Sequence, residues 1–307
     1  MIKDDVLGDG FKSLKIDIAD DKDGKQDATL VFRKCKKESK KAILYVHGFI
    51  DYFFHPELAT HFNDWGYNFY AVDLRKYGRS LQEHHHPNFI SNIHQYFEEI
   101  DKSIAIIKSD GNTNITLMGH STGGLTTSLY AHHHNNIDAL ILNSPFFEIN
   151  GSPATIVLSD IIASFGGIFP YGKMSGLSTL YPESLHKNHK GEWDFNLNWK
   201  PIDNFPSYFG WLKAIRRAQK ELQSGLDIKC PVLVMYSNKS YKGKKWSDEI
   251  FTSDAVLDVV HIAKYAKNIG ANITEVEIKN GIHDLMLSKK EVRAVAYKEM
   301  KIWIDNL

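Results

Sequence analysis

The sequence predicts an α/β fold: a doubly wound, mostly parallel β-sheet carrying an inserted cap. Three observations predict it. The short apolar, β-branched runs "AILYVHG", "YNFYAVDL", "NITLMGHS", "DALILNSP", "PVLVMYS" and "ITEVEIKN" read as strands buried on both faces, as parallel strands usually are. Helix-periodic stretches fall between several of them, and strand-helix alternation builds a sheet covered on both sides. Between Pro145 and about Gly225 the alternation stops, in a stretch rich in aromatics, glycine and proline.

Taken in order, "LKIDI" (Leu14 to Ile18) and "ATLVFRK" (Ala28 to Lys34) alternate apolar and polar residues across the turn-forming "ADDKDGKQD", which predicts an antiparallel opening pair with one wet face. In "SNIHQYFEEIDKSIAIIK", Ile93, Phe97, Ile100, Ile104 and Ile107 recur at helical steps, giving one buried stripe. "LDVVHIAKYAKNIG" behaves similarly, with Gly270 as the expected C-terminal cap. The segment "KKEVRAVAYKEMKIWIDNL" reads as a closing helix with Val292, Ala296, Met300 and Trp303 facing inward. Residues 146–225 are expected to cap the sheet's C-terminal edge, where open α/β sheets bind ligands, as an insertion into a core of residues 1–145 and 226–307.

A chain of 307 residues with 37 basic and 37 acidic side chains has no charge excess to draw it to nucleic acid. The charged opening segment lacks the apolar centre of a secretory signal, and no apolar run reaches membrane-spanning length, so a cytoplasmic protein without stable membrane insertion is expected. Cys35 and Cys230 match no metal or redox spacing. Two histidine triplets, in "EHHHP" (Glu83 to Pro87) and "AHHHNN" (Ala131 to Asn136), invite a metal reading, but consecutive side chains diverge and cannot meet at one ion. No metal or cofactor is expected.

The chemistry is concentrated in "MGHSTGGL". A strand ending in Gly-x-Ser-x-Gly and turning at once into a helix drives the serine into a strained bend that small neighbours tolerate. Gly119 and Gly123 flank Ser121, and Gly124 lets the helix start close to the adjoining strand. A serine nucleophile needs a base, and the base needs an orienting acid. Among fifteen histidines, His283 in "GIHDLM" follows the last predicted strand and falls on the same sheet edge as Ser121. The acid is sought after "PVLVMYS", where the loop offers Asp248, Glu249, Asp254 and Asp258; Asp254 is favoured because it stands directly before the helix starting near Val256. Asp284 adjoins His283 but is expected to point away from its ring. Oxyanion donors are expected from the backbone N–H groups of Thr122 and of Phe49 in "HGF", with Gly48 permitting the backbone there and His47 bracing the loop.

With serine, acid and histidine in that chain order and "HGF" upstream, the sequence resembles the α/β-hydrolase family from about Ala28 to Leu307. "AVDLRKYGRS" looks like a segment of the branch containing serine aminopeptidases, monoacylglycerol lipases and lysophospholipases, with Lys76 and Tyr77 where that branch has glycine and histidine. "SDAVLDV" looks like the family's acid segment and supports Asp254, although a long loop precedes it here. The resemblance implies a serine hydrolase, of the carboxylesterase, lipase or lysophospholipase kind, working through an acyl-enzyme. The small-molecule partner it implies is an ester, and the aromatics of the cap and of the loop after Phe49 favour an apolar acyl group. An aminopeptidase or amidase would need carboxylates such as Glu148, Glu183, Glu192 or Asp194 to hold an amine. A ligand receptor on the same scaffold would lack an activated serine.

Overall fold

In the strand Lys41–Val46, Ala42, Leu44 and Val46 face one hydrophobic cluster while Ile43 and Tyr45 face another, so a single run of apolar residues must be covered twice. The computed structural model, which describes residues 1–174 and 177–307, builds both coverings. The strands are β1 (Ile2–Asp4), β2 (Lys12–Asp21), β3 (Gly24–Arg33), β4 (Lys41–Val46), β5 (Asn68–Asp73), β6 (Asn114–His120), β7 (Ala139–Asn143), β8 (Lys173–Met174), β9 (Ser207–Tyr208), β10 (Val232–Ser237) and β11 (Ile273–Ile278). The helices are α1 (Pro56–Asp64), α2 (Phe97–Ser109), α3 (Thr122–His133), α4 (Pro153–Phe165), α5 (Leu180–Leu185), α6 (Phe209–Gln223), α7 (Val259–Ala266) and α8 (Lys290–Asp305).

Among the described residues, the main sheet has nine strands in the order β1-β2-β3-β5-β4-β6-β7-β10-β11. β1, β2 and β3 run antiparallel to their neighbours, and β5, β4, β6, β7, β10 and β11 are parallel to one another. The expected opening hairpin is β2 against β3, and the six apolar runs are β4, β5, β6, β7, β10 and β11. This is the α/β architecture with a central, mostly parallel sheet. β11 departs from the fully buried pattern because it is the last strand, and Thr274, Glu275 and Glu277 lie open to solvent.

One cluster packs α2, α3, α6 and α7 on the sheet; the other packs α1 and α8 on its reverse. The stripe predicted for the first long helix begins as a short 3-10 turn, Ile93–Tyr96, capped by Asn92. Gly270 does not cap α7, which ends at Ala266. Its backbone instead pairs with Ile228, and a Cβ there would stand 2.8 Å from the Ile228 carbonyl oxygen, so the glycine serves close approach. In α8, Ala296 and Met300 are buried together with Tyr297 and Ile304, while Val292 and Trp303 pack at the margin.

Between β7 and β10 the chain leaves the sheet to form a helical cap containing α4, the short pair β8–β9, and α5. α6 returns the chain, and its buried stripe joins the sheet's own cluster. α4 buries only Ser159 and Ala163, leaving Val157, Leu158, Ile161 and Phe165 on an exposed apolar face that continues into Ile168 and Phe169. Among the described residues, no helix is long and apolar enough to cross a membrane.

Candidate active site

β6 and α3 meet at Ser121, which has φ +53° and ψ −117°, a strained conformation for a residue with a side chain. The surroundings over-determine it. The Ser121 N–H donates to Asn143 O at 3.1 Å, and its carbonyl accepts from Phe146 N–H at 2.9 Å and Leu125 N–H at 3.2 Å. Side chains at the flanking glycines are excluded: a Cβ on Gly119 would overlap Thr127 and the Gly123 carbonyl, and one on Gly123 would overlap the Val46 and His47 carbonyls.

The loop after β4 lies directly against this bend. A Cβ on Gly48 would stand 3.1 Å from Ser121 Cβ and 3.2 Å from His120 Cδ2, so a side chain here would press its neighbours back by a few tenths of an ångström. Gly48 does not itself take the unusual backbone expected of it; the positive φ of this loop is at Ile50, +50°. His47 Nδ1–H donates to Gly48 O at 2.8 Å, and its Nε2 accepts the Leu74 N–H at 3.1 Å, which fixes a neutral tautomer and ties the loop to the end of β5. Burial pushes the His47 pKa down, in keeping with that assignment, against the pull of Asp73 and Asp51. Thr122 is the first residue of α3, and among the described residues neither its N–H nor that of Phe49 donates to another group.

His283 Nδ1 lies 2.9 Å from Asp254 Oδ2, and both side chains are buried. The other Asp254 oxygen accepts the N–H groups of Val256 at 2.8 Å and Leu257 at 2.7 Å. The long loop after β10 closes on itself: Ser240 and Asp254 form a parallel bridge, which returns the acid to the strand's end. The other candidates are elsewhere engaged. Asp258 caps α7 and pairs with Lys242, while Asp248 and Glu249 open a 3-10 turn on the surface.

Ser121, His283, Phe49 and Thr122 line one cavity of about 480 Å³, within the ~300–1,000 Å³ usual for small-molecule sites. Its apolar wall includes Phe146, Ile149, Met174, Leu177, Leu212 and Val256. Of the aromatics expected there, Trp211 and Phe49 take part, stacked at 4.0 Å. Phe165 and Phe169 are exposed, and Trp193, Phe195 and Trp199 pack with Tyr52 and Phe54 in a separate cluster.

Several site residues are not singled out by the sequence reading. Asp51 lines the cavity and accepts from Lys200 Nζ, brought by the cap, at 2.7 Å, with both side chains buried. Burial resists the Asp51 charge, but Lys200, His120 and His47 hold its pKa below the usual carboxylate range. A lone acid inside the apolar run "GFIDYFF" was the available clue; for Lys200 there was none. Asn143 joins the serine bend to the His283 loop, since its carbonyl accepts the Ser121 N–H while its side chain donates to Asp284 Oδ1 at 2.7 Å. Asp284 therefore turns from the His283 ring, and its second oxygen lies 3.9 Å from His120 Nε2 and 4.0 Å from His55 Nε2.

The substituted residues in "AVDLRKYGRS" also find roles. Lys76 adopts φ +67° where glycine would relax, and its buried ammonium lies 2.7 Å from both Asp21 and Asp23. Tyr77 packs against His47 at 4.8 Å between rings. In the first histidine triplet, His84 and His85 bond to the Lys25 carbonyl and His86 to Asp23, fastening the β2–β3 turn.

The sequence model of a family described as serine aminopeptidase, S33, matches residues 37–241. No curated protein matches the chain in sequence. Among solved structures, a soluble variant of monoglyceride lipase from Saccharomyces cerevisiae superposes with a TM-score of 0.69 at 19% identity, covering 92% of each chain. A monoacylglycerol lipase from Paleococcus ferrophilus gives 0.66 at 17% identity, over 89% of this chain and 97% of that one. A thermostable carboxyl esterase from Bacillus coagulans gives 0.65 at 14% identity, over 97% and 98%. At such identities these likenesses establish a common fold.

Proposed function

The chain belongs to the serine aminopeptidase S33 family, and from that premise we propose that it is a serine hydrolase cleaving a carboxylic ester with an apolar acyl group. Asp254 keeps the His283 proton on Nδ1, which leaves the Nε2 lone pair to take the Ser121 hydroxyl proton as the oxygen attacks the ester carbonyl. The negative charge that forms on the carbonyl oxygen is met by the Phe49 and Thr122 N–H groups, with the N-terminus of α3 behind them. Collapse of this intermediate breaks the ester C–O bond. His283 returns its proton to the departing alkoxide, and water then releases the acid by the same steps.

The observation that carries this reading is the 2.9 Å Asp254–His283 pair beside the same apolar cavity as Ser121. Ester is favoured over amine-bearing substrates because, among the described residues, the lining holds a single carboxylate, Asp51, already paired with Lys200. The acids an aminopeptidase would use are engaged elsewhere: Glu148 with Arg216, Glu183 with Thr179, Glu192 with Arg293 and Asp194 with Lys187.

The test is turnover of short p-nitrophenyl esters together with labelling by a fluorophosphonate. Both are expected in the natural chain and absent from Ser121→Ala. Retained turnover in that variant would overturn the mechanism, and an unlabelled natural chain would favour the receptor reading.

A further inference from the structure

The second histidine triplet is not used by the proposed chemistry, and its members diverge as adjacent side chains must. His132 Nδ1 accepts the Asp227 N–H at 3.0 Å, and His134 stacks on Tyr130 at 4.3 Å. His133, the last residue of α3, turns instead toward two residues far away in the chain. Its Nε2 forms a hydrogen bond of 2.6 Å with Glu221 Oε1, on α6, while the other Glu221 oxygen lies 3.2 Å from Nε2 of His94, in the turn before α2. The three donor atoms all fall within 4.8 Å of one another.

We infer that His94, His133 and Glu221 form a binding site for a divalent cation of the zinc class. Two imidazole nitrogens and one carboxylate oxygen suit zinc, nickel or cobalt better than magnesium or calcium, which prefer all-oxygen surroundings. His94 Nε2 is shut off from water and makes no hydrogen bond of acceptable geometry among the described residues, although Glu221 stands beside it. In the tautomer that carries its proton on Nδ1, this nitrogen has a lone pair to offer an ion, and binding would satisfy it without displacing a well-aligned hydrogen bond. All three side chains are partly exposed, leaving an entry path and room for water as a further ligand.

The location gives such an ion a structural consequence. α3 begins directly after Ser121, and α6 carries Trp211 and Leu212 of the cavity wall. One ion would bind together the far ends of both helices and the start of α2, adding stability by its preference for the folded chain. Arg217 acts on His94 as an opposing positive charge, so affinity is expected to be modest.

Calorimetric titration of the full chain with zinc chloride is expected to show one equivalent bound and thermal unfolding to rise by several degrees, with magnesium inert. His133→Asn combined with Glu221→Gln should abolish both effects while circular dichroism stays unchanged. His84→Asn combined with His86→Asn should keep them. Cobalt(II) should give the visible absorption of a low-symmetry nitrogen and oxygen site, lost in the first double variant only. The inference is overturned if the chain binds no stoichiometric zinc, or if binding survives in the first double variant. A magnesium response equal to that of zinc would overturn the assignment of ion class.

Discussion

His283 and Asp254 are joined by a 2.9 Å contact across a loop that leaves the sheet after β10 and returns beside it at the Ser240–Asp254 bridge. The carboxylate thus stands where a shorter loop would have carried it. Asp254→Asn is expected to lower kcat for a p-nitrophenyl ester by ~10⁴ with little change in KM, because the neutral amide no longer holds the proton on Nδ1. Asp258→Asn, whose side chain meets Lys242, the Val260 N–H of the α7 cap and, at 3.5 Å, Ser240 Oγ but not His283, should leave kcat within a few-fold of the natural chain. Equal losses in the two variants would remove Asp254 from its role.

Gly48 sits against both the serine and the preceding histidine, and the next residue supplies a proposed oxyanion donor. Gly48→Ala would place a methyl 3.1 Å from Ser121 Cβ, forcing the loop back and misaligning the Phe49 N–H. A lost donor costs ~10²–10³ in kcat. Steady-state kinetics should show that loss in kcat, with the urea midpoint only slightly lowered.

The Asp51–Lys200 pair is buried, so removing one partner strands the other charge. Lys200→Met and Asp51→Asn are each expected to cost about 3–5 kcal/mol of stability, while the double variant recovers most of it. Urea unfolding of the four proteins forms the cycle. Additive losses would mean that the two charges do not depend on each other.

Burial drives the pKa values of His47, His55 and His120 downward, each against the pull of neighbouring aspartates. Folding therefore holds these rings neutral while the unfolded chain protonates them near pH 6.5. Their contribution is complete above that pH and declines as pH falls toward the lowered folded values. At pH 5.5 each ring neutral in the fold would cost up to about 1.4 kcal/mol relative to neutral pH. Urea midpoints measured from pH 8 to 5.5 should fall, and His120→Gln should flatten part of the decline.

The sheet was legible because β4, β5, β6, β7 and β10 are covered on both faces and so cannot disguise their apolar runs as anything else. The serine bend was legible for a different reason: glycines at 119 and 123 are imposed by backbone overlap, which leaves a local mark in the sequence. The position of His283 at the same cavity as Ser121 followed from chain order. Gly270 was misread because a glycine after a helical pattern looks the same whether it caps the helix or lies against Ile228. Lys200, Asn143 and the His94–His133–Glu221 grouping were invisible, since each depends on segments that meet only in three dimensions. The aromatic richness of the cap was real in composition yet misleading about the cavity, whose wall there is mostly aliphatic.

Lys200 also sits with its ammonium 5.6 Å from the ring centres of Phe54 and Phe195. Lifting this part of the cap would part a lysine from its aspartate and wet two phenylalanines in one motion. The roof over the serine is thus pinned at its polar corner while α4 bears its apolar face to solvent. Any opening of the roof is therefore expected at the α4 side, with the segment around Lys200 and Pro201 staying in place.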